Sequence, residues 1–194
     1  MNRLSFVSGL LSCLIMMTVS ADNNLLVIED FQSTDPSENA SEWRLVEDGV
    51  MGGVSRGDMT WEVVQDKRCL RLTGVVSTQN NGGFIQLNRT VDKDLAKLFP
   101  GYTGIELDVL GNNESYNVHL KQRGMFLPWQ SFRSTIVATD EWQKIKVPFD
   151  TFIPYKTSQK LKPDKINQMA IVGIGRDFNA DVCVAEIRLY RKPD

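Results

Sequence analysis

The sequence is poor in the residues from which most enzymes and metal sites are built. It contains one histidine, His119, so a Ser-His-Asp or Cys-His centre would have to use that imidazole. The sequence has no closely spaced cysteine pair and no histidine cluster, so it gives no indication of a zinc site. We therefore predict that the chain is not an enzyme and has no catalytic residues, metal site or cofactor. A calcium site built from carboxylates such as Asp48 and Asp58 is the alternative that the sequence leaves open.

The chain also lacks an excess of basic charge. It has 22 Lys and Arg residues against 24 Asp and Glu residues, which gives a formal net charge of -2. Nucleic-acid-binding domains normally carry a basic patch, so we expect no nucleic-acid partner. After the N-terminus, no apolar run approaches the roughly 20 residues that a membrane-spanning helix needs. We therefore expect no stable membrane span in the mature chain.

The N-terminus has the composition of an export signal. Arg3 precedes an uncharged apolar run over residues 4–19, and Val19-Ser20-Ala21 supplies small residues at a cleavage site. We predict a secretory signal peptide over residues 1–21 and a single domain over 22–194, in the periplasm or secreted. An uncleaved membrane anchor is the alternative.

Export would leave two cysteines, Cys69 and Cys183, in an oxidising compartment. Strand alternation argues mildly against a disulfide between them. Cys69 alternates with Leu70, whereas Cys183 shares a strand face with Ile187. Two separate thiols are therefore the favoured prediction.

Short alternating segments dominate the rest of the chain. Leu70 and Leu72 alternate with Arg71, for example, and Gly, Asn, Asp and Pro residues separate about ten such segments. One short helix is predicted over residues 92–99, ended by Pro100-Gly101. The pattern predicts an all-β antiparallel sandwich or jelly roll with at most one short helix.

A polar stripe and one tryptophan are the candidate ligand-binding residues. Asn117, His119 and Lys121 share one strand face, and Arg133 has the parity opposite to Phe132. Trp129 follows a proline and precedes a polar strand, so core packing and ligand contact both remain open. Arg133 either pairs with an acid or faces a ligand. The other aromatic residues of apolar runs are predicted to be core: Trp61, Phe84, Phe149 and Phe152.

The most unusual segment is glycine-rich and reads Asp48-Gly49-Val50-Met51-Gly52-Gly53-Val54-Ser55. Its small residues Gly49, Gly52, Gly53 and Ser55 permit positive φ angles and close backbone approach. We expect Val50, Met51 and Val54 to plug into the core from this loop. The loop is then either a structural corner that closes the sandwich or a preformed ligand rim.

Four segments together carry a family resemblance. They are Trp43 with the glycine-rich segment; Asn81-Gly82-Gly83-Phe84; Pro128-Trp129 with Phe132-Arg133, followed by Trp142-Gln143, Pro148-Phe149, Phe152 and Pro154; and residues 171–175 followed by the strand of residues 185–190. In this order they resemble the complex I intermediate-associated protein 30 family. The resemblance implies a galactose-binding-like β-sandwich and a non-enzymatic role that depends on protein contact.

Two function classes follow. The first is a protein-binding assembly or chaperone-like factor in an exported compartment, with an unidentified protein partner. The alternative is a carbohydrate-binding module that holds a glycan on a concave sheet face through Trp129 and the polar stripe.

Overall fold

The computed structural model describes residues 24–32 and 43–192. The predicted signal peptide, residues 1–21, lies outside the described residues. The first sheet contains six strands, whose bounds are β1 (Leu25–Glu29), β3 (Arg56–Val64), β4 (Lys67–Val76), β6 (Gly104–Gly111), β9 (Gln143–Pro148) and β12 (Phe178–Tyr190). Their order is β3-β4-β12-β6-β9, and β1 pairs with the C-terminal half of the long strand β12.

The second sheet also contains six strands, and it carries the site described below. Their bounds are β2 (Trp43–Glu47), β5 (Phe84–Thr90), β7 (Glu114–Gln122), β8 (Ser131–Ala138), β10 (Ile153–Tyr155) and β11 (Ile166–Ile174). The order is β10-β8-β7-β11-β5-β2. All pairs are antiparallel, so the predicted all-β sandwich is confirmed.

The short helix was predicted and is present. Helix α1 spans Lys93–Leu98, and the carboxylate of Asp92 caps it by accepting hydrogen bonds from the backbone N–H groups of Asp94 and Leu95. A 3-10 turn that contains Pro100 follows at once and ends the helix. The 3-10 segments are Asp48–Met51, Gln79–Asn81, Phe99–Gly101, Phe149–Thr151 and Pro163–Lys165.

The core lies between the two sheets because alternate residues of each strand point inward. Leu70 and Leu72 of β4 face the same cluster as Leu87 of β5 and Val118 of β7. Burial of each such side chain contributes about 1.5–3 kcal/mol. Three of the predicted core aromatics belong to this cluster, since Phe152 is buried in it and Trp61 and Phe149 pack against it.

The prediction of separate thiols was wrong, because Cys69 and Cys183 form a disulfide with Cα atoms 5.6 Å apart. The parity argument assumed that β12 alternates without interruption. A bulge between Val184 and Glu186 shifts the register instead. Cys183 therefore points to the outer face with Cys69, while Ile187, beyond the bulge, points into the core.

Within the described ranges, no helix is long and apolar enough to cross a bilayer.

Candidate functional site

The glycine-rich loop is organised around the buried carboxylate of Asp48. One carboxylate oxygen accepts a hydrogen bond from Ser55 N (3.1 Å). The other accepts from Ser55 Oγ (2.5 Å), Gly83 N (2.6 Å) and Phe84 N (3.2 Å). Burial raises the pKa of Asp48, but the hydrogen bonds outweigh it and leave that pKa below its ordinary value. Asp48 therefore ties the loop after β2 to the start of β5.

Gly53 of this loop and Gly82, just before β5, are required by close approach to that carboxylate. A Cβ atom on Gly53 would lie 2.2 Å from Asp48 Cγ, and one on Gly82 would lie 2.4 Å from Asp48 Oδ2. The expectation that Met51 and Val54 plug into the core was wrong, since both side chains are exposed. These contacts favour the structural-corner interpretation of the loop, because its buried groups are polar and bonded to one another.

A pocket opens on the outer face of the second sheet. One row of paired residues crosses four strands and forms its floor, in the order Asn88, Ala170, His119 and Arg133. Strands lie about 4.8 Å apart, so the small side chain of Ala170 leaves a gap between the longer side chains of Asn88 and His119. The pocket that contains this gap has a cavity volume of about 80 Å³.

Two buried polar atoms of the pocket lining have no hydrogen-bond partner among the described residues. They are Asn88 Oδ1 and His119 Nε2, on side chains that are 6% and 8% exposed. Burial lowers the pKa of His119 to about 3, and the charges of Arg133 and Lys121 act in the same direction. The imidazole is therefore neutral at physiological pH and presents either a donor or an acceptor at Nε2. Unpaired buried polar groups are rare, so these two atoms leave unused hydrogen-bonding capacity in the pocket lining.

Two cations, Arg133 and Lys121, line this pocket; the ring of Tyr155 packs against Arg133, and Trp129 also lines the pocket. Arg133 Nε donates to Ser131 Oγ (3.0 Å), and its guanidinium carbon lies 3.4 Å from the centre of the Tyr155 ring. Lys121 Nζ donates to Pro128 O (3.0 Å) and so holds the loop that carries Trp129. Trp129 is 49% exposed and lines the pocket, so it lies at the rim and outside the core.

Four of the five predicted ligand-binding residues thus line one pocket: Trp129, Arg133, His119 and Lys121. Asn117 shares the face but does not line the pocket, and its Oδ1 accepts a hydrogen bond from Thr135 Oγ1. The prediction that Phe84 is core was wrong, because its half-buried side chain lines the pocket. Sequence reasoning also missed Gln86, Asn88, Ser131, Gln168 and Ala170.

The two six-stranded antiparallel sheets and the outer-face pocket define a β-sandwich with a polar recess on one sheet. A family model described as complex I intermediate-associated protein 30 matches residues 30–181. The chain therefore belongs to this family. A comparison with curated proteins found no match.

Several solved structures share the fold. A family 11 carbohydrate-binding module from Clostridium thermocellum, in complex with a β-1,3-1,4-mixed-linked tetrasaccharide, has a TM-score of 0.68 and 14% identity over 88% of this chain and 98% of its own. The same family's module of cellulase Lic26A-Cel5E from C. thermocellum has a TM-score of 0.67 and 14% identity over 88% and 96%. The agarase AgWH50C has a TM-score of 0.56 and 13% identity over 88% of this chain and 25% of its own.

Proposed function

We propose that this chain is a non-catalytic glycan-binding module and that the pocket on the second sheet holds the sugar. The observation that carries the proposal is the pair of unpartnered buried atoms, Asn88 Oδ1 and His119 Nε2, on either side of Ala170. Sugar hydroxyl groups both donate and accept hydrogen bonds, so they satisfy an amide oxygen and a neutral imidazole together.

The rim supports the same proposal. A half-exposed indole beside a polar floor offers a flat apolar surface on which a sugar ring can stack, while its hydroxyls reach the polar groups. Trp129 is placed for this contact because Lys121 holds the preceding backbone carbonyl. The solved carbohydrate-binding modules that share the fold are consistent with this use of the sandwich.

The test is a glycan-array screen with the chain from residue 22 to 194 and two variants that act on the pocket differently. Trp129→Ala removes the stacking surface, and Ala170→Leu fills the floor. Phe126→Ala is the matched control, since Phe126 is 91% exposed in the same loop but does not line the pocket. We expect specific binding that both pocket variants abolish and the control retains. A blank array with folded protein would refute the proposal.

Protein capture is the second candidate, and it is favoured by a different observation. Phe126 is 91% exposed, and Ile153 of the edge strand β10 is 71% exposed. Exposed apolar side chains of this size are typical of protein contacts. The family's description also names association with complex I intermediates. Cross-linking in the native host, compared between the native chain and Phe126→Ala, tests this candidate.

We further propose that the chain acts in the periplasm or outside the cell. The Cys69–Cys183 disulfide supports this location, because disulfides persist in oxidising compartments. Fractionation of the native host followed by immunodetection tests it, and recovery of the chain with cytosolic markers alone would refute it.

A further inference from the structure

The charges that line the pocket have one sign. Arg133 and Lys121 are its two cations, and among the described residues no Asp or Glu contributes to the lining. His119 stands between them in a neutral state, because burial and both cations keep its pKa low. The whole chain has a net charge of -2, so the charge of this recess is opposite in sign to that of the chain.

Among the described residues Arg133 has no acidic partner, in contrast to three other arginines of the sandwich. Arg71 pairs with Asp181, Arg176 with Glu114, and Arg188 with Glu186. Within residues 24–32 and 43–192, the polar contacts of Arg133 are the hydroxyl groups of Ser131 and Tyr155, and its guanidinium lies over the Tyr155 ring.

The desolvated guanidinium therefore keeps free N–H donors toward the pocket. Burial lowers the pKa of Arg133, which is the direction expected of a charge without a counter-ion. A partly buried cation without a counter-charge is costly, and a bound anion would offset that cost.

Lys121 adds a second positive charge from the neighbouring strand. Its ammonium group donates to Pro128 O and, at 3.5 Å, to Leu127 O, so one of its three donors remains free. Ser131 lines the same recess and adds a hydroxyl beside Arg133. A guanidinium, an ammonium and a hydroxyl in one recess suit a planar carboxylate or a tetrahedral sulfate.

The size of the recess limits what enters it. The recess opens to solvent and has a cavity volume of about 80 Å³, which suits a single substituent or a few water molecules better than a whole oligosaccharide. The sugar ring must therefore lie over the recess, against Trp129, and direct one group inward.

We propose that the ligand is an acidic saccharide whose carboxylate or sulfate group enters the recess between Arg133 and Lys121. This inference rests on the glycan-binding function proposed above and specifies its substrate class. Asn88 and His119 then contact hydroxyl groups of the same sugar, and Trp129 contacts its ring.

The test uses pairs of oligosaccharides that differ only in charge. Isothermal titration calorimetry would compare an oligouronate with its carboxyl-reduced form, and a sulfated oligosaccharide with its desulfated form. The pair in which the acidic member binds identifies the recognised anion as carboxylate or sulfate. We expect the acidic form of one pair to bind at least about tenfold more tightly than its neutral form, because hydrogen bonds to charged groups are the stronger ones.

Variants then locate the contact. Arg133→Gln is expected to weaken binding of the acidic form by about 10-fold to 100-fold, and so to remove most of its advantage over the neutral form. Lys144→Gln, an exposed cation on β9 of the other sheet, is the matched control and should change little. Ala170→Leu should abolish binding of both forms while urea unfolding shows that it remains folded.

Each contrary result has a separate meaning. If neutral and acidic forms bind equally and Arg133→Gln has no effect, the acidic assignment fails while glycan binding stands. If no saccharide of either charge binds, the proposed function fails as well. If a poly-glutamate peptide of equal charge binds as tightly as the oligouronate, the pocket recognises charge alone and the saccharide assignment is overturned.

Discussion

The buried carboxylate of Asp48 provides the sharpest test of how the family motif stabilises the sandwich. Replacement by alanine removes the acceptor of three backbone N–H groups, those of Ser55, Gly83 and Phe84. Ser55 Oγ keeps an alternative acceptor in Ser77 O at 3.3 Å. The change therefore leaves three donors unsatisfied inside the structure.

The expected loss of stability follows from these three donors. Each buried unsatisfied donor costs about 1–3 kcal/mol, and water that enters the vacated space reduces the total toward the lower end. We expect Asp48→Ala to lower the free energy of unfolding by about 3–5 kcal/mol. For a chain of this size that corresponds to a fall in Tm on the order of 10 °C. Asp48→Asn keeps one acceptor oxygen but places an amide donor against another donor. We therefore expect it to lower the free energy of unfolding by about 1–3 kcal/mol.

The pH dependence of stability tests the contribution of the charged form of Asp48. The pKa of Asp48 is lowered in the folded state, so its contribution is fully present above the ordinary carboxyl pKa of about 4. That contribution is lost as the pH falls through the lower folded-state pKa. Urea unfolding of the native chain from pH 7 to pH 3 should therefore show a decline that is shallower in Asp48→Asn.

Asp58→Asn is the matched control, because Asp58 is exposed and follows the same glycine-rich segment. It should change the free energy of unfolding by no more than about 0.5 kcal/mol. The reasoning is refuted if Asp48→Ala unfolds at the same urea concentration as Asp58→Asn. In that case the motif would have to be reconsidered as a ligand rim.

The remaining predictions concern one glycine, the disulfide and the histidine. Gly53→Ala should lower stability by about 1–3 kcal/mol through overpacking, whereas Gly49→Ala, whose Cβ would make only an ordinary 3.8 Å contact with Arg56 Nη1, should not; equal effects would contradict this reasoning. Loss of the Cys69–Cys183 bond, by dithiothreitol or by a double serine variant, should cost about 2–5 kcal/mol, and an unchanged denaturation midpoint would refute this. The His119 imidazole resonances should not titrate between pH 8 and pH 5, because its pKa is about 3; a midpoint near pH 6.5 would show that the ring is exposed.

The sequence was informative about the fold because the sheets follow a simple period of two. Alternation placed Leu70 and Leu72 in the core and identified most of the strands. It failed where the period breaks. The bulge in β12 reverses the faces of the residues beyond it, so the disulfide was missed. Strand β10 was missed because it is a three-residue edge strand that contains Pro154, and short edge strands leave almost no pattern.

The site was only half predictable, for a related reason. Parity along β7 and β8 correctly grouped His119, Lys121 and Arg133 on one face. Parity cannot reveal which strands are neighbours, and the pocket depends on β5 and β11 lying beside β7. Asn88 joins the site only because β11 carries the small residue Ala170 between Asn88 of β5 and His119 of β7. Alternation within β5 would have identified Asn88 as outward-facing. It could not have shown that His119 lies across Ala170 from it.

The glycine-rich loop and the pocket are linked through Phe84, which suggests how a structural motif supports a binding face. Asp48 fixes the backbone N–H of Phe84 at the start of β5, and the side chain of Phe84 then lines the pocket two residues before Gln86. A loosened corner would shift the start of β5 and with it the pocket wall. Asp48→Asn should therefore weaken glycan binding even at temperatures where the variant is folded, whereas loss of the remote disulfide should lower stability and leave affinity unchanged. If both changes alter affinity in proportion to stability, the corner has no specific effect on the pocket.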